Sequence, residues 1–278
     1  IKNLLIYDAV NKILNKNKIL APKLINQNYK NNYIEVEDFG DNTLYKVLKH
    51  NKTNKELFFI KILKTLSRLQ LIKDKQVLNF NRQKYKVQKY EDKILLNEAK
   101  LFSEWYAPTK INKFQIRKFK KGYENEVKKL LSKLNLKNDT FVHRDFHVSN
   151  LMYVKNNIAV IDSQDALIGN KAYDLASLVD DVRFKTSNKL KNKILNNYFK
   201  KLKKTEINKF VNDFEILSVL RNLKIIGIFT RLALRDNKKK YVKMIPYAWE
   251  MINYRMKKNR EFVNLKLILK RNFPKFVK

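Results

Sequence analysis

The chain has 278 residues, 61 Lys+Arg against 26 Asp+Glu, and a formal net charge of +35. At 44% hydrophobic with 12% aromatic residues it can bury a core, so the charge does not signal disorder. Cys is absent, which removes disulfides and cysteine chemistry; four glycines leave no room for a glycine-rich phosphate loop, and no apolar run is long enough to span a bilayer. Residues 1–17 place Leu4, Leu5, Tyr7, Ala9, Val10, Ile13 and Leu14 at helical spacing. Pro22 breaks the chain before a short extended piece, Lys23 to Asn26. Residues 33–37 alternate as a strand, and Asp38-Phe39-Gly40-Asp41 follows as a turn. Helices are predicted over 43–50, 54–73, 91–106 and 122–135, the second with Leu57, Ile60, Leu63, Leu66, Leu69 and Leu71 on its apolar face. Between 140 and 162 the pattern changes to short β-type runs at 141–142, 151–154 and 158–161. From 172 onward the reading is helical: 172–184, 188–202, 206–234, 240–258 and 261–271. There is no repeat, no low-complexity linker and no secretory signal at the start.

The β-rich inset carries the chemistry. It reads His143-Arg144-Asp145-Phe146-His147-Val148-Ser149-Asn150, then Ile161-Asp162-Ser163-Gln164-Asp165. An Asp, an Asn five residues on, and an Asp twelve residues beyond that suit phosphoryl transfer. That reaction needs a carboxylate to orient an attacking hydroxyl, and oxygen ligands for Mg²⁺ on the phosphates. A hairpin formed by 151–154 and 158–161 returns Asp162 to the loop of Asp145 and Asn150. His143, Asp145 and His147 also alternate, which on a strand makes an alternative metal site; the kinase spacing and the lack of Cys weigh against it.

The H-R-D-x-x-x-x-N segment followed by I-D resembles the catalytic and metal loops of the protein-kinase-like superfamily. The second histidine is similar to the aminoglycoside phosphotransferase and choline kinase branch. Val142 to His147, Asp162 to Ala166, Tyr173 to Leu178 and Arg221 to Phe229 resemble bacterial anomeric kinases for N-acetylmuramate and N-acetylglucosamine, which serve cell-wall sugar recycling. The resemblance runs from about Pro22 to about Tyr254.

The resemblance implies an α+β, protein-kinase-like bilobal fold. It implies Asp145 as catalytic base, Asn150 and Asp162 as Mg²⁺ ligands, and ATP held by the hinge around Glu35, Glu37, Asp38 and Phe39. Residues 1–41 are then expected to be the remainder of a nucleotide-binding lobe with its hinge, and 42–278 a helical catalytic lobe carrying the β-hairpin inset. Asp38-Phe39-Gly40 imitates the kinase metal motif but precedes the catalytic loop. The family's phosphate-clamping strand Lys has no counterpart before Pro22: Lys2 and Lys12 lie in a helix pattern that offers Asp8 but no Glu. The chain opens on Ile1, so it reads as a truncated nucleotide lobe or a degenerate kinase, expected as it stands to bind ATP poorly.

Asp174 comes only twelve positions after Asp162, too close for a peptide-docking segment between them. The acceptor is therefore expected to be a small molecule; the resemblance implies an amino sugar, whose acidic anomeric hydroxyl a plain carboxylate base can serve. His143 reads as a brace of the loop and Asp174 as an N-cap or loop brace. Arg144 and Asp165 stand open between substrate contact and bracing. Trp105, Tyr106, Glu98 and Glu104 stand open between a sugar site and core.

The charge is 50 Lys and only 11 Arg, dispersed along the chain. Nucleic-acid readers favour the planar fork of Arg, so a solvated lysine coat on a cytoplasmic, non-membrane enzyme is the favoured reading. Another small-molecule kinase, or a non-catalytic pseudokinase or nucleic-acid binder, are the alternatives.

Overall fold

A computed structural model describes residues 2–50, 54–257 and 259–277. Ile1 and Lys258, the ends of two expected helices, lie outside the described residues. Helix α1 (Lys2–Lys16) buries Ala9, Val10, Ile13 and Leu14 on one face, as helical periodicity requires. It stops where Lys18 takes a left-handed φ of 59°. Strands β1 (Leu24–Asn28) and β2 (Tyr33–Val36) pair antiparallel. Helix α2 (Leu44–Lys49) is capped by Thr43, whose Oγ1 accepts from Lys46 N at 3.3 Å. Helix α3 (Lys55–Gln70) buries Phe59, Ile62, Leu63, Leu66 and Leu69, while Leu57 and Leu71 are exposed. The run Leu57-Phe58-Phe59-Ile60 offers two apolar faces, and packing uses the one through Phe59. Strands β3 (Gln76–Leu78) and β4 (Lys84–Lys86) form a hairpin unannounced by the sequence, three residues each with Gln and Lys outward.

Helix α4 (Asp92–Leu101) runs into a π-helical turn, Phe102–Tyr106. Helix α5 (Lys113–Leu131) begins well before the expected 122, because Asn112 caps it by accepting from Gln115 N at 2.9 Å; Gly122 sits inside it. Strands β5 (Asn138–Val142), β6 (Leu151–Val154), β7 (Asn157–Val160) and β8 (Leu167–Asn170) form two antiparallel pairs. β6 and β7 make a tight hairpin with Leu151 opposite Val160; β5 pairs with β8, which the sequence reading omitted. Helix α6 (Ala172–Val179) ends short of the expected 184, where Asp181 turns the chain by accepting from Arg183 N at 3.2 Å. Helices α7 (Asn188–Phe199), α8 (Lys204–Leu234), α9 (Ile245–Met256) and α10 (Val263–Asn272) complete the chain. The chain is thus of the expected α+β class.

Packing divides the chain into two compact units. One compact unit comprises 1–90, 137–179 and 186–202; the other comprises 91–136, 180–185 and 203–278. The first holds all eight strands found among the described residues. The second is helical around an aromatic cluster in which Phe102 meets Tyr123, Trp249 and Phe273 at 5.3–5.6 Å between centroids. In it Gly227 lets α8 reach the end of α4: a Cβ there would lie 2.3 Å from the Leu101 carbonyl carbon. A buried Asp180 carboxylate takes both Nε (2.7 Å) and Nη2 (3.0 Å) of Arg255 and the Ser218 hydroxyl (2.6 Å), so this charge is compensated. Among the described residues, no helix is long and apolar enough to cross a membrane.

Candidate active site

All the residues expected to carry phosphoryl transfer lie in the first unit. The loop between β5 and β6 begins at His143, which is fully buried. The Asp174 carboxylate, buried near the start of α6, accepts from His143 N at 2.7 Å and from Arg144 N at 2.9 Å. These bonds hold Arg144 at a φ of 74°, a left-handed conformation that costs a non-glycine residue about 1–3 kcal/mol. Asp174 is therefore a loop brace. The His143 ring bonds the Ile161 carbonyl at 3.0 Å, so Nε2 carries the proton. Burial lowers the pKa of this imidazole, and the fields of Asp145, Asp162 and Asp165 only partly offset the desolvation. His143 thus ties the loop to the strand that delivers Asp162. Among the described residues, no group of three or more His, Asp or Glu is placed to hold a metal, which removes the His143/Asp145/His147 alternative.

Asn150 is the hub. Its Nδ2 donates to the Asp145 carbonyl at 3.2 Å and faces Asp162 Oδ2 at 3.4 Å. The β6–β7 hairpin makes this meeting, because the Ile161 N–H bonds the Asn150 carbonyl at 3.1 Å across its open end. Asp162 is exposed, has a φ of 62°, and takes Gln164 Nε2 on its other oxygen at 2.8 Å. Two left-handed non-glycine residues, Arg144 and Asp162, thus flank the site, the kind of strain that concentrates where side chains must be aimed. Asp145 itself is half-buried, and His147 N caps its carbonyl at 3.0 Å.

A cavity of about 400 Å³ opens beside this group. Asn150 and Asp162 line one side, and Val36 to Gly40 line another. Glu37, Asp38 and Phe39 are thus part of the cavity wall. Glu35 does not line the cavity: strand alternation turns it out opposite Asn26, and Val36 lines the wall instead. The turn after β2 is shaped by Gly40 at a φ of 72°, whose N–H bonds Asp38 Oδ1 at 2.7 Å. One oxygen of Glu37, Oε2, is buried without a hydrogen-bond partner. An acceptor of this kind in a cavity wall calls for a donor from a ligand. Tyr7 also lines the cavity, and burial raises its pKa, so it stays a neutral hydroxyl.

Several bracing residues escaped the sequence reading. The Ser163 hydroxyl donates to Asn11 Oδ1 at 2.6 Å, and Asn11 Nδ2 donates to the Pro22 carbonyl at 3.0 Å. Asn11 therefore joins the loop after Asp162 to the chain entering β1. A polar residue on the apolar face of α1 was the available signal. Arg144 lies 5.2 Å over the Tyr90 ring and donates to the Asp165 carbonyl at 3.1 Å, so both Arg144 and Asp165 brace the loop; Tyr90 left no signal. In the second unit Tyr106 is buried in the aromatic cluster and Glu98 pairs with Lys224 at 3.0 Å, which favours core over a sugar site for these two. The eleven residues between Asp162 and Asp174 are taken up by a turn, β8 and the start of α6.

The phosphotransferase enzyme family matches residues 3–206 of the chain. An N-acetylmuramate/N-acetylglucosamine kinase from Neisseria meningitidis is 32% identical over 182 residues, 63% of this chain and 54% of that protein. One of the same name from Caulobacter vibrioides is 25% identical over 245 residues, 85% of this chain and 66% of that protein. The match to the first thus spans about half of that relative's length. Among solved structures, a choline/ethanolamine kinase family protein from Mesorhizobium loti superposes with a TM-score of 0.63 at 11% identity, covering 97% of this chain and 83% of that one. The protein-kinase-like fold is therefore shared.

Proposed function

The chain belongs to the phosphotransferase enzyme family, and from that premise we propose that it is an ATP- and Mg²⁺-dependent kinase for the anomeric hydroxyl of an amino sugar. N-acetylmuramate and N-acetylglucosamine are the proposed acceptors, in cytoplasmic recycling of cell-wall sugars. The observation that carries this reading is the Asn150 hub, which gathers the Asp145 loop and the Asp162 carboxylate at the edge of the hinge-lined cavity.

Asp145 orients the acceptor hydroxyl and takes its proton onto its carboxylate as the hydroxyl oxygen attacks the γ-phosphorus in line, while the bond from that phosphorus to the β,γ-bridging oxygen breaks and ADP leaves with its electron pair. The anomeric hydroxyl is more acidic than an ordinary alcohol, so a carboxylate suffices. Asn150 and Asp162 offer the oxygen donors a hard cation prefers, and they would hold the Mg²⁺ that neutralises phosphate charge. The adenine is proposed to lie against residues 36–40, its amino group donating to the unpartnered Glu37 oxygen. Residues 1–41 then serve as the nucleotide-side segment with the hinge, and 42–278 as the catalytic segment. The turn and strand that fill 163–170 leave no peptide platform, which supports a small acceptor.

ATP turnover on a panel of amino sugars, choline and aminoglycosides, with and without Mg²⁺, tests the proposal. Amino-sugar-dependent, Mg²⁺-dependent ADP release is expected. Turnover on choline alone would sink the sugar assignment; salt-sensitive binding to nucleic acid with no turnover would favour a binding module.

A further inference from the structure

Four cations of the first unit converge on one concavity whose lining residues are distinct from those of the candidate active site. A cavity of about 290 Å³ in the first unit is lined by Lys18, Lys61, Lys64 and Arg68 together with Asn156 and Asn157, and no carboxylate lines it. A cavity of the second unit, by contrast, mixes its cations with Glu126 and Glu261, which pair with Lys129 at 2.7 Å and Lys133 at 3.9 Å. The four cations arrive from two elements. Lys61, Lys64 and Arg68 follow one another at helical spacing along α3, so their like charges repel across one face. Lys18 comes from the end of α1 in the left-handed backbone conformation that usually selects glycine.

The setting is built rather than loose. The Lys61 ammonium lies 5.7 Å from the Phe58 ring centre and 5.4 Å from that of Tyr153. The Tyr153 hydroxyl donates to Asn156 Oδ1 at 2.7 Å, which steadies the turn of the β6–β7 hairpin. That turn has Lys155 and Asn156 both at positive φ, 44° and 66°, and presents the exposed Asn156 and Asn157 to the cavity. Buried Ile19 and Ile158 supply an apolar floor. Converging cations over a low-dielectric floor focus a positive potential into the cavity, and an anion there relieves their mutual repulsion.

We propose that this cavity binds a small diphosphate, at the turn end of the hairpin whose open end carries Asn150 and Asp162. The size fits a diphosphate rather than a long polymer, and the Asn amides suit its oxygens or an attached hydroxyl. The site is independent of the kinase reading.

Calorimetric titration of the full chain with inorganic pyrophosphate in Mg²⁺-free buffer tests it. Saturable binding is expected, weakened at least tenfold in the Lys64→Glu/Arg68→Glu double variant. The same charge change at Lys113→Glu/Lys121→Glu, on α5, should alter it less than twofold, as should Asp162→Asn. Lys18→Asn, tolerant of the left-handed backbone, should weaken binding at least threefold and serves if the double variant does not fold. A nucleoside-diphosphate sugar as a second ligand shows whether the diphosphate comes free or attached; pocket-dependent binding of either supports the site. Equal losses in both double variants, loss in Asp162→Asn, or no pyrophosphate heat would overturn it. So would pocket-dependent binding of a single-stranded oligonucleotide without any of pyrophosphate.

Discussion

Replacing Asp174 by Asn isolates the brace beneath the catalytic loop. The carboxylate accepts two backbone N–H groups, from His143 at 2.7 Å and Arg144 at 2.9 Å. The amide keeps one acceptor oxygen and turns an NH₂ toward the other donor. Hydrogen bonds to a charged acceptor contribute about 1.5–3 kcal/mol each, and a buried donor left unpaired costs about 1–3 kcal/mol, so the substitution should remove about 2–4 kcal/mol. These bonds also oppose the left-handed strain at Arg144, which relaxes when they weaken. At about 1.4 kcal/mol per factor of ten, a loss of about 3 kcal/mol from the aligned loop lowers kcat about a hundredfold. The proposed nucleotide wall is residues 36–40 of the cavity, so nucleotide affinity should stay within about threefold of wild type, the expectation for an independent site. Steady-state ADP release, nucleotide titration and thermal melting together read this out. If kcat stays within threefold of wild type while the melting temperature falls, Asp174 supports the fold only and the alignment argument is refuted.

Asp145→Asn should cut turnover by at least about a hundredfold with unchanged melting, since a general base contributes about 10²–10⁴-fold; a loss under tenfold removes the assigned role. Gly227→Ala should destabilise by about 1–3 kcal/mol or more, because its Cβ would meet the Leu101 carbonyl carbon at 2.3 Å and Phe102 N at 2.6 Å; denaturant unfolding checks this, and a wild-type midpoint contradicts it. Ser163→Ala leaves the buried Asn11 Oδ1 short of a donor and should cost about 1–3 kcal/mol, with a raised Mg²⁺ requirement in turnover as the functional reading. Burial holds the His143 pKa below its ordinary value of about 6.5. Its contribution to stability is therefore complete above the unfolded-state value and is lost as pH falls through the folded one. Ring-proton NMR in a chain with three histidines should show the His143 midpoint below about 6.5; a midpoint at or above that value contradicts the burial argument.

The sequence by itself laid out the candidate residues and their order along the chain. Asp145, Asn150 and Asp162 are legible as candidates because phosphoryl transfer demands such groups, and a loop followed by a short hairpin is the local device that brings the stretch of Asp162 back to the loop of the first two. Helices with a clear apolar stripe were legible too: α1 buries Ala9, Val10, Ile13 and Leu14 of the face the periodicity marks. Tertiary structure decided what local pattern leaves degenerate. It chose the Phe59 face of α3 over the Leu57 face, and carried α5 back through Gly122 to the Asn112 cap. It turned Glu35 out of the hinge wall and paired β5 with β8. Above all it recruited the braces. Asp174, Asn11 and Tyr90 reach the loop from distant stretches of sequence, and a carboxylate, an amide and a ring carry no spacing that reveals which backbone they will hold. The gathering of Lys18 with three cations of α3 is equally invisible in a lysine-rich chain. Charge along a sequence is only a sum; folding makes it a cavity.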